Sequence, residues 1–212
     1  MHPKLGRRVE FDEKSRQYPV RKLVAAKKPR SYTWGCPVWL DQGQTPACTG
    51  FSTTQKLITR YPMLKSVSEQ LATDLYHQAQ KYDEYPGENY EGSSVLGAMK
   101  AAIALGYIGS YHWGFSLDDA ILAIGYQGGG VLGCNWYEDM FHPDTKGIIK
   151  PTGALAGGHA ILVNGVDLKR GLVRLHNSWG KDWGINGEAF MSIEDFGKLL
   201  SEDGEFAVPV RK

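Results

Sequence analysis

Apolar positions along the 212-residue chain follow two patterns, and the change falls near Gly128-Gly129-Gly130. Before it they recur at helical spacing. Phe51, Leu57, Ile58 and Tyr61 give a broken stripe that Pro62 ends. Thr45-Pro46 ahead of it predicts a helix start, with Thr45 as N-cap and Pro46 at the first helical position. Ser66-Val67-Ser68-Glu69 fits a capping box, followed by Leu71, Leu75, Ala79 and Tyr82. A third helix is predicted from about Ser94 to Leu105, closed by Gly106, and a short fourth one from Ser116, with Asp118 and Asp119 in its first turn. After the glycines come "VLGCNWY", "HAILVNGVDL", "LVRLHNSW", "EAFMSI" and "EFAVPV", short β-type runs bounded by Gly, Lys-Arg-Gly or Asn-Gly turns. Helices first and strands second is an α+β layout of two lobes. One domain over 1–212 is expected: an extended strap or tail over 1–35, a helical lobe over about 36–127, and a β-rich lobe over about 128–212.

Composition narrows the function classes. Apolar residues make up 42% and charged residues 22%, as in an ordinary globular protein. The net charge of +1 gives no global pull toward nucleic acid or membrane. The charge is uneven, because residues 1–35 carry ten Lys/Arg against three Asp/Glu and the remainder is acidic. A strap lying on the acidic body is expected, anchored by Tyr18, Val20, Leu23 and Val24. A tail that binds a polyanion is the alternative, so nucleic acid is not expected as a partner but stays open. No run reaches transmembrane length, and the N-terminus lacks the apolar core of a signal peptide. Cys36, Cys48 and Cys134 are odd in number and lack CxxC spacing, which argues against a disulfide framework and a zinc site. A cytoplasmic setting, no membrane, no metal and no cofactor are expected; the oligomeric state is open.

The candidate chemistry lies in three stretches. In "DQGQTPACTGFS" Cys48 stands where a helix starts, and unpaired N–H groups and the macrodipole there favour a thiolate. His159 follows Gly157-Gly158 at the head of a strand, where residues without Cβ let a substrate backbone pass close. Asn177 ends a later strand, and its side-chain oxygen can hold an imidazole in one tautomer. Each residue also has an ordinary reading: a core thiol, a structural histidine, a turn asparagine.

Taken together, "QGQTPACTGFS", "GGHAILVNGVD" and "NSWGKDWGINGEAFMSI" resemble the three signature blocks of papain-like cysteine peptidases, in the family's order Gln, Cys, His, Asn. The His and Asn stand 111 and 129 residues after the Cys, which makes this a compact version. Thr45 and Thr49 depart from the Cys and Trp common in the first block, and Gly158 stands where many members have Asp or Asn. Only 47 residues precede Cys48, too few for a helical prodomain, as in short, prodomain-less bacterial and viral members.

The resemblance implies a two-lobed fold with the active site in the cleft. It implies a peptide or protein substrate hydrolysed through a thioester, with Cys48 as nucleophile, His159 as base and then acid, Asn177 as orienter and Gln42 as oxyanion donor. Trp179 is expected to shield the His159–Asn177 bond, with Trp183 nearby on the substrate side. Gly92 and Ser93 match the segment that pairs with substrate backbone, beside Gly158. Ala160 and Cys134 match walls of the pocket for the residue two places before the scissile bond, the alternative for Cys134 being packing in the core of the β-rich lobe. Small and uncharged, they imply a pocket that accepts an apolar side chain and disfavours an acidic one. The alternatives are a catalytically inactive peptide-binding or assembly protein, and a thiol transamidase on the same fold.

Overall fold

The computed structural model describes residues 2–59, 62–86 and 90–211. The N-terminal segment holds strand β1 (Arg7–Arg8), a 3-10 turn (Ser15–Gln17), the short helix α1 (Arg21–Val24) and strand β2 (Tyr32–Thr33). Helices α2 (Cys48–Ile58) and α3 (Glu69–Ala79) follow, then strand β3 (Ser93–Ser94) running directly into α4 (Val95–Ala104). Strand β4 (Ser110–Trp113) and helix α5 (Leu117–Tyr126) lead into β5 (Gly130–Tyr137) and a second 3-10 turn (Glu138–Phe141). The chain closes with β6 (Leu155–Asp167), β7 (Leu172–His176), β8 (Glu188–Ser192), helix α6 (Ile193–Ser201) and β9 (Glu205–Val210).

The main sheet runs β4-β9-β5-β6-β7-β8, antiparallel throughout, with β2 added against β6. One apolar cluster gathers around Trp136, Phe196 and Phe206 on the sheet. A second joins α2, α3 and α4 and reaches the sheet through Val131, Ala160 and Ala207. Helix α2 lies between them, buried from Cys48 to Leu57. Its polar residues are buried along with the apolar ones, so no amphipathic stripe marks it; Ser52 donates to the Cys48 carbonyl and Lys56 to the Gln127 carbonyl. Gly50 lets α3 approach, since a Cβ there would lie 2.4 Å from the Ala72 carbonyl oxygen.

Several expected boundaries shift. Helix α2 starts at Cys48, with Ala47 at the cap, because Thr45 turns back to donate to the Gln42 carbonyl. The cap of α3 is Ser68, whose oxygen accepts from Leu71 N; Glu69 instead accepts from the Asp41 amide. Helices α4 and α5 start one residue after the expected Ser94 and Ser116, which serve as their N-caps. Tyr61 lies outside the described residues. His159 is not at a strand head, because β6 begins four residues earlier by pairing Leu155 with Tyr137.

Candidate active site

Cys48 opens α2 and is fully buried. The amides of Ala160, Gly6 and Thr49 and the charge of Arg7 all favour its anion, yet burial outweighs them and pushes the thiol up to about 11. The thiolate expected from the helix start is therefore not favoured in this closed form. Cys134 is also buried, and its thiol is pushed up to about 12.

His159 is fully buried next to Ala160, whose amide faces the Cys48 sulfur. Its Nε2 lies 2.9 Å from Asn177 Oδ1, and that oxygen also accepts from the Ser178 amide at 2.9 Å. An oxygen can only accept, so Nε2 carries the proton and Nδ1 is left bare. Nδ1 has no hydrogen-bond partner among the described residues. Burial lowers the imidazole to about 4, against the raising effect of Asn177. The rings of Trp179 and Trp136 each lie 4.7 Å from the imidazole, tilted at 32° and edge-on at 72°. Trp183 packs edge-on against Trp179 and donates to the Phe141 carbonyl.

Gln42 is tied to the same assembly. Its amide donates to the Ser178 carbonyl, and its Oε1 accepts from Ser178 Oγ at 2.7 Å. That fixes which way the side chain faces, and its Nε2 points at two carbonyls, Thr45 at 2.8 Å and Lys4 at 3.0 Å. Gln42, Ser178, Asn177 and His159 thus form one hydrogen-bonded run ending beside Cys48. Ser178 was not singled out from sequence, although it sits inside the third block.

Lys4 belongs to the N-terminal segment, which runs through the cleft. His2 stacks on Phe141 at 4.3 Å, and Leu5 lies over Gly157. Gly6 donates to the Gly158 carbonyl at 3.1 Å and accepts from the Ser93 amide at 2.9 Å. Strand β1 pairs in parallel with β3, Arg7 opposite Ser93. The two glycines expected to admit a substrate backbone admit this one: a Cβ on Gly92 would lie 2.3 Å from Gly6 O, and one on Gly158 2.2 Å from Arg7 O. Tyr76 Oη accepts from Gly92 N, and Gln80 donates to the Gly92 carbonyl, so α3 positions this loop. Beyond the cleft, Arg8 lies 4.8 Å over both Tyr85 and Tyr90, and Val20 N bonds the Trp113 carbonyl. Val20 and Val24 are buried as anchors, whereas Tyr18 is largely exposed.

Arg7 turns inward near Cys48 and Cys134 and is buried against Glu205, Nε to Oε1 at 3.1 Å. The glutamate comes from β9, which pairs Glu205 with Gly133. The wall at the guanidinium is Gly133, one residue before Cys134, since neighbouring residues of a strand face opposite ways. Among the described residues, no group of three His, Cys, Asp or Glu is placed to hold a metal ion, and no helix is long and apolar enough to cross a membrane.

No protein-family model matches the chain, and no curated protein matches it significantly. Solved structures do match. Xylellain, a cysteine protease from Xylella fastidiosa, superposes with a TM-score of 0.77 at 18% identity, covering 100% of this chain and 98% of that one. Digestive procathepsin L 3 of the Tenebrio molitor larval midgut gives 0.64 at 18% identity, covering 99% and 76%. The bromelain protease from Ananas comosus gives 0.62 at 17% identity, covering 87% and 100%. Identities at this level speak for backbone architecture, and the architecture of this chain, from end to end, is the α+β fold of the papain-like cysteine proteases.

Proposed function

We propose that the chain is a papain-type cysteine peptidase held shut by its own N-terminal segment. The observation that carries this reading is the Gln42 side-chain amide, locked by Ser178 and donating to a backbone carbonyl of an extended segment that passes Cys48. A peptide carbonyl there is what an oxyanion donor needs as its target. Once the segment leaves, His159 takes the Cys48 proton through its bare Nδ1 and the sulfur attacks the scissile carbonyl. The developing oxyanion is held by Gln42 Nε2 and the Cys48 amide. His159 gives the proton to the departing amine, leaving a thioester. A water deprotonated by His159 then releases the acid and restores the thiol. Asn177 keeps the proton on Nε2 throughout.

The direction of the segment explains why it is not its own substrate. The acyl side of a substrate is expected along Gly92 and Ser93, with its leaving amine beyond Cys48. The segment presents the Lys4 carbonyl to Gln42 and then continues toward Ser93, so it runs the opposite way. The amine of the Lys4–Leu5 bond therefore lies on the acyl side, where a substrate has no leaving group to protonate.

The test is peptide hydrolysis by the full chain and by Gly6→Ala. A Cβ on Gly6 would lie 2.0 Å from the Pro46 carbonyl oxygen, so the variant unseats the segment. Gly6→Ala should hydrolyse peptides faster than the wild type, and Cys48→Ala in that background should be inactive. Gln42→Ala in the same background should lower kcat by roughly 10²–10³-fold. Binding without an acyl-enzyme would make the protein an inactive fold member, and an amine adduct in place of acid would make it a transamidase.

A further inference from the structure

We infer that Cys36 is a second reactive thiol, separate from the cleft, which hydroperoxides oxidise to the sulfenic acid while Cys48 is still shut away. The inference does not depend on the peptidase reading.

A buried cation carries it. His176 ends β7, directly opposite Glu188 on β8, and is fully buried. Its Nδ1 lies 3.1 Å from Glu188 Oε1, and its Nε2 lies 2.7 Å from the Val38 carbonyl oxygen. A carboxylate and a carbonyl can only accept, so both ring nitrogens carry protons and the ring is an imidazolium. Burial works against that charge, but Cys36 and Glu188 outweigh it and raise the imidazole to about 9. Burial also works against the Glu188 carboxylate, yet His176 and Arg174 overcome it and hold the carboxyl below its usual range.

That cation faces a sulfur. Cys36 Sγ lies 3.5 Å from the same Val38 carbonyl that His176 Nε2 bonds, and it also hydrogen-bonds the imidazole. Charge counting points the same way. Arg174 and His176 share one carboxylate, Glu188, and among the described residues no other carboxylate pairs with either. Water reaches the Arg174 side chain but not His176, so the surplus charge left without solvent is the imidazolium. An anion forming on Cys36 neutralises it. The cluster sits just under the surface, beneath the exposed Trp39, whose ring lies 5.9 Å from the imidazole. Cys36 keeps 7% exposure, whereas Cys48 and Cys134 have none. In the reaction the Cys36 thiol gives its proton to solvent and the sulfur attacks one peroxide oxygen. The O–O bond breaks, and the leaving hydroxide takes a proton from solvent to become water. Sulfur is oxidised by two electrons and the peroxide is reduced by two. The Val38 and Gln55 carbonyls, 3.5 and 3.7 Å from Sγ, are acceptors for the O–H of the product.

The experiment treats the full-length protein with hydrogen peroxide at neutral pH, traps sulfenic acid with dimedone and reads the adduct at each cysteine by peptide mass mapping. Folded protein is compared with the same chain unfolded in urea. Burial by itself can only slow a thiol, so a cysteine that reacts faster folded than unfolded is activated by its neighbours. The expected result is a gain of roughly tenfold for Cys36 on folding, the effect of one opposite charge close by. Cys48 and Cys134 should instead be slowed by folding. His176→Asn keeps a donor and loses the charge, so it should return Cys36 to its unfolded rate or below. If that variant misfolds, the comparison within the wild type decides alone. Cys36 reacting no faster folded than unfolded, or equally fast in a folded His176→Asn protein and in the wild type, overturns the inference.

Discussion

Cys48 and His159 are an uncharged pair while the segment fills the cleft. Burial pushes the thiol up to about 11 and the imidazole down to about 4, so at neutral pH neither carries charge. Removing the segment rewets both, which lowers the thiol and raises the imidazole. The rate of Cys48 alkylation by iodoacetamide against pH should therefore climb toward about 11 in the wild type. In Gly6→Ala it should turn over well below 8.5, the ordinary cysteine value. The same low inflection in both proteins would show that the segment does not control the pair. At this scale the sequence was informative where the chemistry is local. Gln42, Cys48, His159 and Asn177 each stand in a short block with a recognisable neighbour pattern. Glu205 was not legible, because its meaning depends on the register that sets it opposite Gly133 and on an arginine 198 residues away.

Helix α2 carries the nucleophile, and its position depends on close packing more than on its caps. Its N-cap Ala47 makes no side-chain hydrogen bond. Gly50 faces α3 with no room for a methyl group: the Ala72 carbonyl oxygen and Tyr76 Cβ lie 2.4 and 2.7 Å from where a Cβ would be. Alanine improves intrinsic helix propensity by about 1 kcal/mol. Overpacking against backbone costs about 1–3 kcal/mol. Gly50→Ala should thus be net destabilising in denaturant unfolding, and it should shift Tyr76, which holds Gly92 in place. A more stable Gly50→Ala protein would mean that α3 can slide away freely. The starts of α2 to α5 are legible in the sequence to within a few residues, and the departures have causes. Thr45 looked like a cap but closes the Gln42 turn. Helix α6 was missed because its cap, Ser192, is also the last residue of β8, so the β-run "EAFMSI" masked the helix behind it.

The whole molecule divides its N-terminal segment between two tasks. Residues up to about Arg7 fill the cleft, while Val20 and Val24 are core residues and β2 pairs with β6 at Val166. Two truncations should therefore behave differently. Removing residues 1–9 should raise peptide hydrolysis and leave most of the stability. Removing 1–30 should raise hydrolysis but also lower the melting temperature by several degrees, since two buried valines go with it. Equal melting temperatures for the two truncations would show that Val20 and Val24 are not structural anchors. The two-lobed α+β layout was legible from the switch in apolar spacing at the glycine run. The route of the segment was not, because a charge imbalance indicates docking without saying where.

Residues 25–33, which join the whole N-terminal segment, with its cleft-filling stretch and its anchors Val20 and Val24, to the rest of the chain, are all exposed. That tether makes the blocking stretch an inhibitor present at a fixed local concentration, on the order of millimolar for a short link. Diluting the protein does not weaken it. A single proteolytic nick within 25–33 would touch no contact in the cleft, yet it would turn a unimolecular equilibrium into a bimolecular one. Nicked protein should then gain activity on dilution and lose it on concentration, while intact protein holds one specific activity at every concentration. The switch is thus set by connectivity, and one cut in an exposed loop suffices to throw it.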